Sequence, residues 1–209
     1  MSNNVIKIEK ISKSYGEKKV FSDISLSIPH GSVTTVIGSS GCGKTTLLRL
    51  ICGLEKPDCG SITGVSKKDI SVLFQEDRLF PWLTARENVE AVISDKKDKH
   101  LAVEILTELG LGDEKDMNAF PSELSGGMKR RVAIARALAY KSKVLILDEA
   151  LRGLDEKNFE NAIDVIERYR DGRTVISVTH VMSRIEENAD KVIDLDKIEK
   201  IDPVFVFNK

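Results

Sequence analysis

The sequence lacks an apolar run that approaches the roughly 20 residues of a membrane-spanning helix. Its N-terminal stretch, MSNNVIKIEK, lacks the apolar core of a secretory signal, so we expect the protein to stay in the cytoplasm. Charge of one sign is not in excess either, because 32 Lys and Arg residues balance 33 Asp and Glu residues. This balance gives no electrostatic reason to expect nucleic acid or an anionic membrane surface as a partner.

Cysteine is scarce as well. The odd number and the spacing of Cys42, Cys52 and Cys59 argue against a disulfide framework and against a metal site. We therefore expect reduced thiols, as is usual in the cytoplasm. The 209 residues are 41% hydrophobic and 31% charged, which is typical of a soluble globular protein of one domain.

The apolar pattern predicts an α/β fold. Residues 23–28 alternate between polar and apolar, as a half-buried antiparallel strand does, and residues 5–11 are a plausible neighbour. β-branched or continuous apolar runs predict buried strands, with helical patterns between them. These runs are residues 33–37, 70–74, 144–147, 174–178 and 192–195. Between the third and fourth runs, Asp155 is predicted to cap a helix with Phe159, Ile163 and Ile166 on one face. We predict a phosphate-loop core with a mostly parallel sheet, together with a small N-terminal antiparallel β-subdomain.

The domain boundaries follow from the same pattern. The chain is predicted to be a single domain over residues 1–209, with its core and β-subdomain in residues 1–75 and 140–209. Residues 76–139 are predicted to form a helical insertion. Within it, Thr84 and Glu87 form a capping box, and a charge run at residues 95–100 predicts a solvated loop. A further run reads as a helix with Met128, Val132, Ala135 and Ala139 on one face.

A glycine-rich loop follows the first predicted buried strand and precedes a helix, the context that a phosphate-binding loop requires. Its glycines let backbone amides turn toward a β-phosphate, Lys44 would bridge β- and γ-phosphate oxygens, and the Thr45 hydroxyl would bind Mg²⁺. Thr46 either reaches the α-phosphate or simply begins the helix. The phosphate loop comprises Gly38, Ser39, Ser40, Gly41, Cys42, Gly43, Lys44, Thr45 and Thr46.

Polar side chains end three of the predicted strands, where ligands bind in parallel α/β sheets. Asp148 would hold Mg²⁺ through water, and Glu149 would act as general base toward the attacking water. Gln75 would bind Mg²⁺ and position water, or is an ordinary loop residue. His180 would contact the γ-phosphate, although a lone histidine is more often a capping residue.

Two further features point to a nucleotide. Tyr15 precedes a glycine and either stacks on adenine or covers the small sheet. Ser125, Gly126 and Gly127 precede a helix, and exposed amides with a small capping residue form a second anion site. A second site far from the phosphate loop is unexplained by the residues alone.

Together these motifs resemble the ATPase subunit of an ABC transporter over nearly the whole chain. The phosphate loop resembles its Walker A motif, residues 144–149 its Walker B motif with the catalytic Glu149, and Leu124–Gly127 its LSGG signature. Gln75, His180, Asp155 and Tyr15 match the Q-loop, the switch histidine, the D-loop and the adenine-stacking position.

The resemblance implies a head-to-tail homodimer or pseudo-dimer, with ATP at the seam between the two copies. The phosphate loop of one copy would hold the triphosphate, and Ser125, Gly126, Gly127 and Asp155 of the other copy would close over it. Hydrolysis would then open the dimer and move a partner. The resemblance implies ATP and Mg²⁺ as cofactors and an active ATPase, with Glu149, His180, Gln75 and Lys44 in catalytic roles.

The segment QEDRLFPWLTARENV, residues 75–89, resembles the nitrate, sulfonate and taurine importer subfamily. This implies separate transmembrane permease subunits, a solute-binding protein, and a place at the cytoplasmic face of the membrane. Its apolar group, Leu79, Phe80, Trp82 and Leu83, either docks a permease helix or forms a local core. An exporter ATPase and a soluble, non-transport ABC ATPase are the alternatives.

The sequence departs from the family at a few positions. Met128 stands where the signature usually has Gln, and Ser39 where relatives often have Pro. After Glu149, Ala150–Gly153 replace the Pro-Phe-Gly-Ala that is usual in importers. Arg152, in this stretch, either alters dimer closure or extends into solvent.

Overall fold

The computed structural model describes residues 5–179 and 184–198. The predictions for His180 and for the tail 202–209 lie outside this range. The described residues form two compact units. The first unit contains the residues up to Ile70 and those from Gly172 onward, and the second is Ser71–Asp171.

Strands and helices alternate along most of the chain. In chain order the elements are β1 (Val5–Tyr15), β2 (Lys18–Pro29), β3 (Val33–Ile37), α1 (Lys44–Ile51), β4 (Cys59–Thr63), β5 (Ile70–Leu73), α2 (Ala85–Glu90), α3 (His100–Glu108), α4 (Glu114–Met117), α5 (Gly126–Ala139), β6 (Val144–Asp148), α6 (Glu156–Tyr169), β7 (Thr174–Val178), α7 (Arg184–Glu187) and β8 (Lys191–Asp194). Short 3₁₀ turns occur at Lys67–Asp69, Lys96–Lys99 and Pro121–Glu123.

An antiparallel sheet in the first unit has the strand order β2-β1-β4. Strand β1 pairs antiparallel with both neighbours, and its isoleucines Ile6, Ile8 and Ile11 are buried. This confirms the predicted antiparallel pair near the N-terminus. Strand β4 was not predicted, because its sequence CGSIT contains turn-forming residues and is mostly exposed.

The parallel strands of the first unit have the order β7-β3-β8. Strand β3 pairs in parallel with both neighbours, with Val33 opposite Val175 and Thr34 opposite Lys191. Val33, Thr34, Thr35 and Val36 are buried in succession, so both faces of β3 are covered, and the β-branched sequence VTTVI fits such a strand. The phosphate loop therefore starts from the centre of these three strands.

The second unit is mostly helical. In it, β5 is the neighbour of β6, and β6 is buried over its whole length. Helix α5 packs against α2 and α3. On the predicted face of α5, Val132, Ala135 and Ala139 are buried, whereas Met128 is half-buried. The buried surface extends beyond that face, since Ala133, Ile134, Ala137 and Leu138 are buried too, as a helix with neighbours on several sides requires.

The charge run at residues 95–100 is the clearest local correction. The predicted solvated loop is wrong in its backbone, because Lys96–Lys99 form a 3₁₀ turn that leads into α3. The Asp95 carboxylate accepts a hydrogen bond from the Lys97 amide at 3.1 Å, which caps this turn. The side chains of Asp95, Lys96 and Lys97 are nevertheless exposed, as the prediction required.

Three predicted caps are confirmed. Thr84 and Glu87 form the reciprocal capping box at the start of α2. The Ser125 hydroxyl accepts from the Met128 amide at the start of α5. Asp155 caps α6 in the same way. Over residues 5–179 and 184–198, no helix is both long and apolar enough to cross a bilayer.

Candidate functional site

The phosphate loop takes a shape that only glycine accommodates at its ends. Gly38 has φ +149° and Gly43 has φ +110°, a backbone region that other residues rarely adopt. A Cβ atom on Gly43 would also lie 2.7 Å from side-chain atoms of Phe21 and Val20. The backbone and packing of the first unit therefore require glycine at this position.

Lys44 is the first residue of α1, and its side chain turns back over the loop. Its ammonium donates to the carbonyl oxygens of Gly38 at 2.7 Å and Ser39 at 2.9 Å. The residue is buried, and these carbonyls replace the hydration of the charge. The loop thus holds a cation at the centre of the predicted triphosphate site.

The start of α1 has the geometry of an anion site. Its first helical hydrogen bond runs from the Leu47 amide to the Gly43 carbonyl at 2.8 Å. The amides of Lys44, Thr45 and Thr46 precede that bond and have no acceptor within the helix. Among the described residues, no side chain caps this end, so the amides and the helix dipole face the loop.

Asp196 is a residue of this site that sequence reasoning missed. Its carboxylate accepts two hydrogen bonds from Ser39, from the amide at 2.6 Å and from the hydroxyl at 2.8 Å. These hydrogen bonds, with the nearby charge of Lys44, hold the pKa of Asp196 below its usual value. Ser39 can donate both hydrogen bonds of this tether to Asp196 because it has the N–H and O–H groups that proline lacks.

Tyr15 is half exposed at the end of β1, with 46% of its surface accessible. Its hydroxyl donates to Glu55, and the Lys13 ammonium lies 5.4 Å from its ring centroid. The hydroxyl bond lowers the pKa of Glu55. The ring is therefore fixed by its hydroxyl, and stacking on adenine stays a prediction.

In the second unit, Asp148 and Glu149 lie at the carboxyl end of β6. Asp148 is buried, whereas Glu149 is partly exposed and has φ +48°, an unusual conformation for glutamate. The Arg152 guanidinium donates to the Glu149 carboxylate at 3.0 Å. Arg152 is largely exposed, so it extends into solvent and pairs with the predicted general base at the same time.

The signature segment, Leu124–Gly127, leads into α5 with its glycines uncovered. A Cβ atom built on Gly126 or on Gly127 would meet no described atom within 4 Å. Neither glycine has a positive φ. Glycine inside a helix costs roughly 1 kcal/mol relative to alanine, and in this chain neither backbone shape nor packing offsets that cost.

Gln75 lies close to the signature segment in this unit. It is exposed, and it lines a cavity of about 520 Å³ together with Gly126 and Gly127. Arg130 and Arg152 line the same cavity. The structure thus brings together Gln75, the signature glycines and the cation that pairs with Glu149.

Asp155 has a structural role that is visible within its own unit. Its carboxylate accepts hydrogen bonds from the amide and the side chain of Asn158 at 3.0 and 2.6 Å. These bonds lower the pKa of Asp155. Its predicted contact with the partner's nucleotide remains a prediction.

The docking segment, residues 75–89, presents aromatic side chains at its surface. Trp82 is 69% and Phe80 40% exposed, and their ring centroids are 5.7 Å apart. Leu79 and Leu83 are half-buried. A local core therefore accounts for the two leucines, but it does not account for the exposed aromatic pair.

Asn88 holds the docking segment in shape, and sequence reasoning did not single it out. It is fully buried, and its Oδ1 accepts from the Phe80 amide at 2.8 Å. Its Nδ2 donates to the carbonyl oxygens of Phe80, Leu83 and Thr84 at 3.1, 2.9 and 3.0 Å. One amide side chain thus satisfies the irregular backbone between Phe80 and Thr84.

The donors predicted for Mg²⁺ are chemically suitable. Thr45, Gln75 and Asp148 offer hydroxyl, amide and carboxylate oxygens, the ligands that Mg²⁺ prefers. In the described part of the chain, no group of 3 or more His, Cys, Asp and Glu side chains forms a metal site.

Comparisons with known proteins give consistent matches. A family model described as ABC transporter matches residues 21–152. The aliphatic sulfonates import ATP-binding protein SsuB of Rhodopseudomonas palustris is 41% identical over 198 residues, which cover 90% of this chain and 70% of that protein. SsuB of Zymomonas mobilis is 41% identical over 200 residues, covering 92% of this chain and 82% of that protein.

Among solved structures, the chain is similar to a dimeric structure of the ATP-binding cassette MJ0796 in a post-hydrolysis state, bound to ADP and Pi. It is 31% identical with a TM-score of 0.79, and the match covers 90% of this chain and 93% of that one. A second dimeric structure of MJ0796, a bacterial ABC transporter cassette, is 30% identical with a TM-score of 0.79, and the match covers 93% of this chain and 96% of that one.

Proposed function

The chain belongs to the ABC transporter family as one of its ATPase domains, and we propose that its ATP hydrolysis powers an importer of small anions of the nitrate, sulfonate and taurine class. The relatives named as sulfonate import subunits support this class. The resemblance of residues 75–89 to that importer subfamily agrees with it.

The observation that carries the proposal is the pair of uncovered glycines at the start of α5. Gly126 and Gly127 have no side chains that would cover the amides at the start of α5, and nothing in the described chain fills the space above these glycines. Ser125 supplies the cap that keeps the helix end ordered. We infer that the phosphates of a nucleotide bound by a second copy approach this end, where helix amides favour an anion.

Each unit would supply its own part of the reaction. The phosphate loop and Lys44 of one copy bind the triphosphate, and Glu149 of that copy accepts a proton from the attacking water. Thr45, Gln75 and Asp148 would hold Mg²⁺, which neutralises phosphate charge when it is bound with ATP. In our proposal, His180 contacts the γ-phosphate, and Asp155 and the signature segment close the site in trans.

Replacement of Glu149 by Gln tests the hydrolytic role. Glutamine keeps the size of the side chain but is not a base, so we expect hydrolysis to fall by about 10²–10⁴-fold while ATP still binds. ATP should drive this variant into a lasting dimer. Glu156→Gln, at an exposed glutamate that starts α6, is the matched control and should hydrolyse ATP normally.

Steady-state hydrolysis, equilibrium ATP binding and sedimentation measure these effects. Full turnover by the Glu149→Gln protein would remove Glu149 from the mechanism. An unmodified chain that neither hydrolyses ATP nor dimerises with it would contradict the proposed function as a whole.

The docking segment gives the proposed contact with separate permease subunits at the cytoplasmic face of the membrane. The Phe80 and Trp82 rings present exposed apolar area, which a partner helix would bury. The solute would be presented by a separate solute-binding protein. The substrate class is tested by uptake of taurine or ethanesulfonate into vesicles that contain the chain with its co-purified permease.

Charge at the aromatic pair tests the docking itself. Phe80→Glu with Trp82→Glu should abolish co-purification of the permease while ATP binding stays unchanged. Leu54→Glu, at an exposed leucine of the first unit, is the control and should leave the complex intact. A permease that still binds the double variant would contradict the assignment of this surface.

A further inference from the structure

Arg130 lies in the second turn of α5 and is buried, with only 3% of its surface exposed. A buried guanidinium needs partners for its charge and its N–H groups. Its Nε donates to the Ala150 carbonyl at 2.6 Å, and its Nη2 donates to the Glu149 carbonyl at 2.8 Å. Its Nη1 donates to the Phe74 carbonyl at 2.7 Å and to the Asp77 carboxylate at 3.1 Å.

These partners come from separate stretches of the second unit. Phe74 and Asp77 flank Gln75 after β5, whereas Glu149 and Ala150 follow β6. The helix that carries Arg130 begins at the signature segment. A guanidinium is a planar, rigid fork, so one side chain fixes the distances among all three stretches.

Arg136 on the same helix provides an internal comparison. Its guanidinium is also partly buried, and it donates to the carbonyl oxygens of Asp77 and Arg78 at 2.8 and 2.9 Å. It lies 5.6 Å from the Phe80 ring centroid. It also donates to the Asn88 Oδ1 in α2 at 3.5 Å. Its described partners thus all lie after β5 and no further along the chain than α2, so Arg136 holds the docking segment without a described contact to the end of β6.

We propose that Arg130 is a positioning residue that couples the two ATP sites of the dimer. This inference rests on the proposed function, in which Gln75 and Glu149 act on the ATP of their own copy and the signature segment acts on the partner's ATP. Through Arg130, a displacement of Gln75 or Glu149 on ATP binding or hydrolysis moves α5 and therefore the partner's site. ATP binding at one site then favours closure at the other.

Arg130→Lys and Arg136→Lys form the matched pair for the test. Each keeps a positive charge but loses the fork, because an ammonium cannot bridge several carbonyls in a fixed plane. Hydrogen exchange of the intact chain measures the clamp without any need for activity. We expect Arg130→Lys to speed exchange both after β5 and after β6, and Arg136→Lys to speed it only after β5.

The second readout separates ATP binding from dimer closure. In Arg130→Lys, ATP binding by the monomer should change by less than about twofold, while ATP-driven dimerisation weakens by about 5–150-fold, the usual range for coupled sites. The kcat of hydrolysis should fall with KM little changed. In Arg136→Lys, ATP binding, dimerisation and hydrolysis should all match the unmodified chain.

Specific outcomes overturn the inference. Suppose that the unmodified chain hydrolyses ATP and that ATP drives dimerisation of the Arg130→Lys variant as strongly as that of the unmodified chain. Arg130 then does not couple the two ATP sites, although the proposed function stands. Equal losses of dimerisation in both lysine variants would show a merely structural role for the two arginines. An unmodified chain without hydrolysis or ATP-driven dimerisation would overturn the proposed function and this inference together.

Discussion

Glycines occur in the phosphate loop of the first unit and in the signature segment of the second, but the chain requires them for different reasons. Gly38 and Gly43 have backbone angles that other residues avoid, and a side chain on Gly43 would collide with Phe21. Gly126 and Gly127 have ordinary helical surroundings and open space above them. The first pair is thus required by the fold of its own unit, whereas the second pair is not.

This difference separates residues needed for folding from residues needed for approach by another molecule. A glycine that its own chain does not require lowers helix stability without local compensation. Such a position indicates a ligand or partner that comes close to the backbone. The four glycines therefore allow stability and activity to be measured against each other.

The largest effect on stability is expected for Gly43→Ala. The backbone strain and the 2.7 Å approach to Phe21 should destabilise the protein by about 1–3 kcal/mol, as residues in disfavoured backbone regions do. ATP affinity should fall by about tenfold or more, since the loop must shift. Thermal unfolding and equilibrium binding of a fluorescent ATP analogue measure both losses. Unchanged affinity would show that the loop tolerates a side chain there.

Gly127→Ala should have the opposite effect on stability. Alanine in the first turn of α5 should stabilise the helix by up to about 1 kcal/mol and raise Tm by a few degrees. ATP binding by the monomer should be unaffected, but hydrolysis should fall by at least about tenfold because the methyl group blocks the partner's nucleotide. Gly112→Ala, at another glycine of the second unit, is a control for hydrolysis. A stabilised and fully active Gly127→Ala protein would contradict the dimer site.

A smaller effect is expected for Asp196→Ala, which tests whether the first unit holds its own loop. Loss of both hydrogen bonds to Ser39 should weaken ATP binding by about two- to tenfold. Because the pKa of Asp196 is lowered, this tether is present at neutral pH and is lost only as pH falls through that lowered pKa. Asp196→Asn retains an acceptor and should be milder. Equal affinities for ATP in both variants and the unmodified chain would mean that the tether does not shape the loop.

The smallest effect on stability is expected for Arg152→Ala. Its ion pair with Glu149 is largely exposed on the arginine side, so the free energy of unfolding should change by less than about 1 kcal/mol. Without the ion pair to Arg152, the Glu149 carboxylate should raise basal hydrolysis about two- to threefold, because a barrier lowered by less than about 1 kcal/mol changes the rate by about this factor. Steady-state hydrolysis of Arg152→Ala and Arg152→Lys measures this, and a slower Arg152→Ala protein would contradict it.

Sequence patterns predicted those features that depend on neighbouring residues. The β-branched runs placed β3 and β7 at their observed bounds, and the caps at Thr84, Ser125 and Asp155 were found from residues a few positions apart. The phosphate loop and the signature segment were recognisable for the same reason. The family resemblance then added the dimer, which no single chain displays.

Contacts between distant residues could not be predicted in this way. Ser39 and Asp196 are 157 positions apart, and Arg130 reaches the Phe74 carbonyl 56 positions away. Nothing in the local sequence distinguishes the buried Arg130 from its half-buried neighbours Lys129 and Arg131. Such contacts depend on how β5, β6 and α5 pack, and they become visible only in the folded chain.

The attachment of the docking segment to Asn88 separates its shape from its outward surface. The buried Asn88 amide bonds to backbone atoms of Phe80, Leu83 and Thr84 and to the Arg136 guanidinium. Because none of these bonds uses the side chains at positions 80 and 82, those side chains are free to diversify while the loop geometry is inherited. After gene duplication, point mutations at these two positions can thus give a new permease specificity while the fold of the loop stays the same. For the same reason, an orthogonal ATPase–permease pair can be engineered by compensating substitutions at Phe80 and Trp82, with Asn88 left in place.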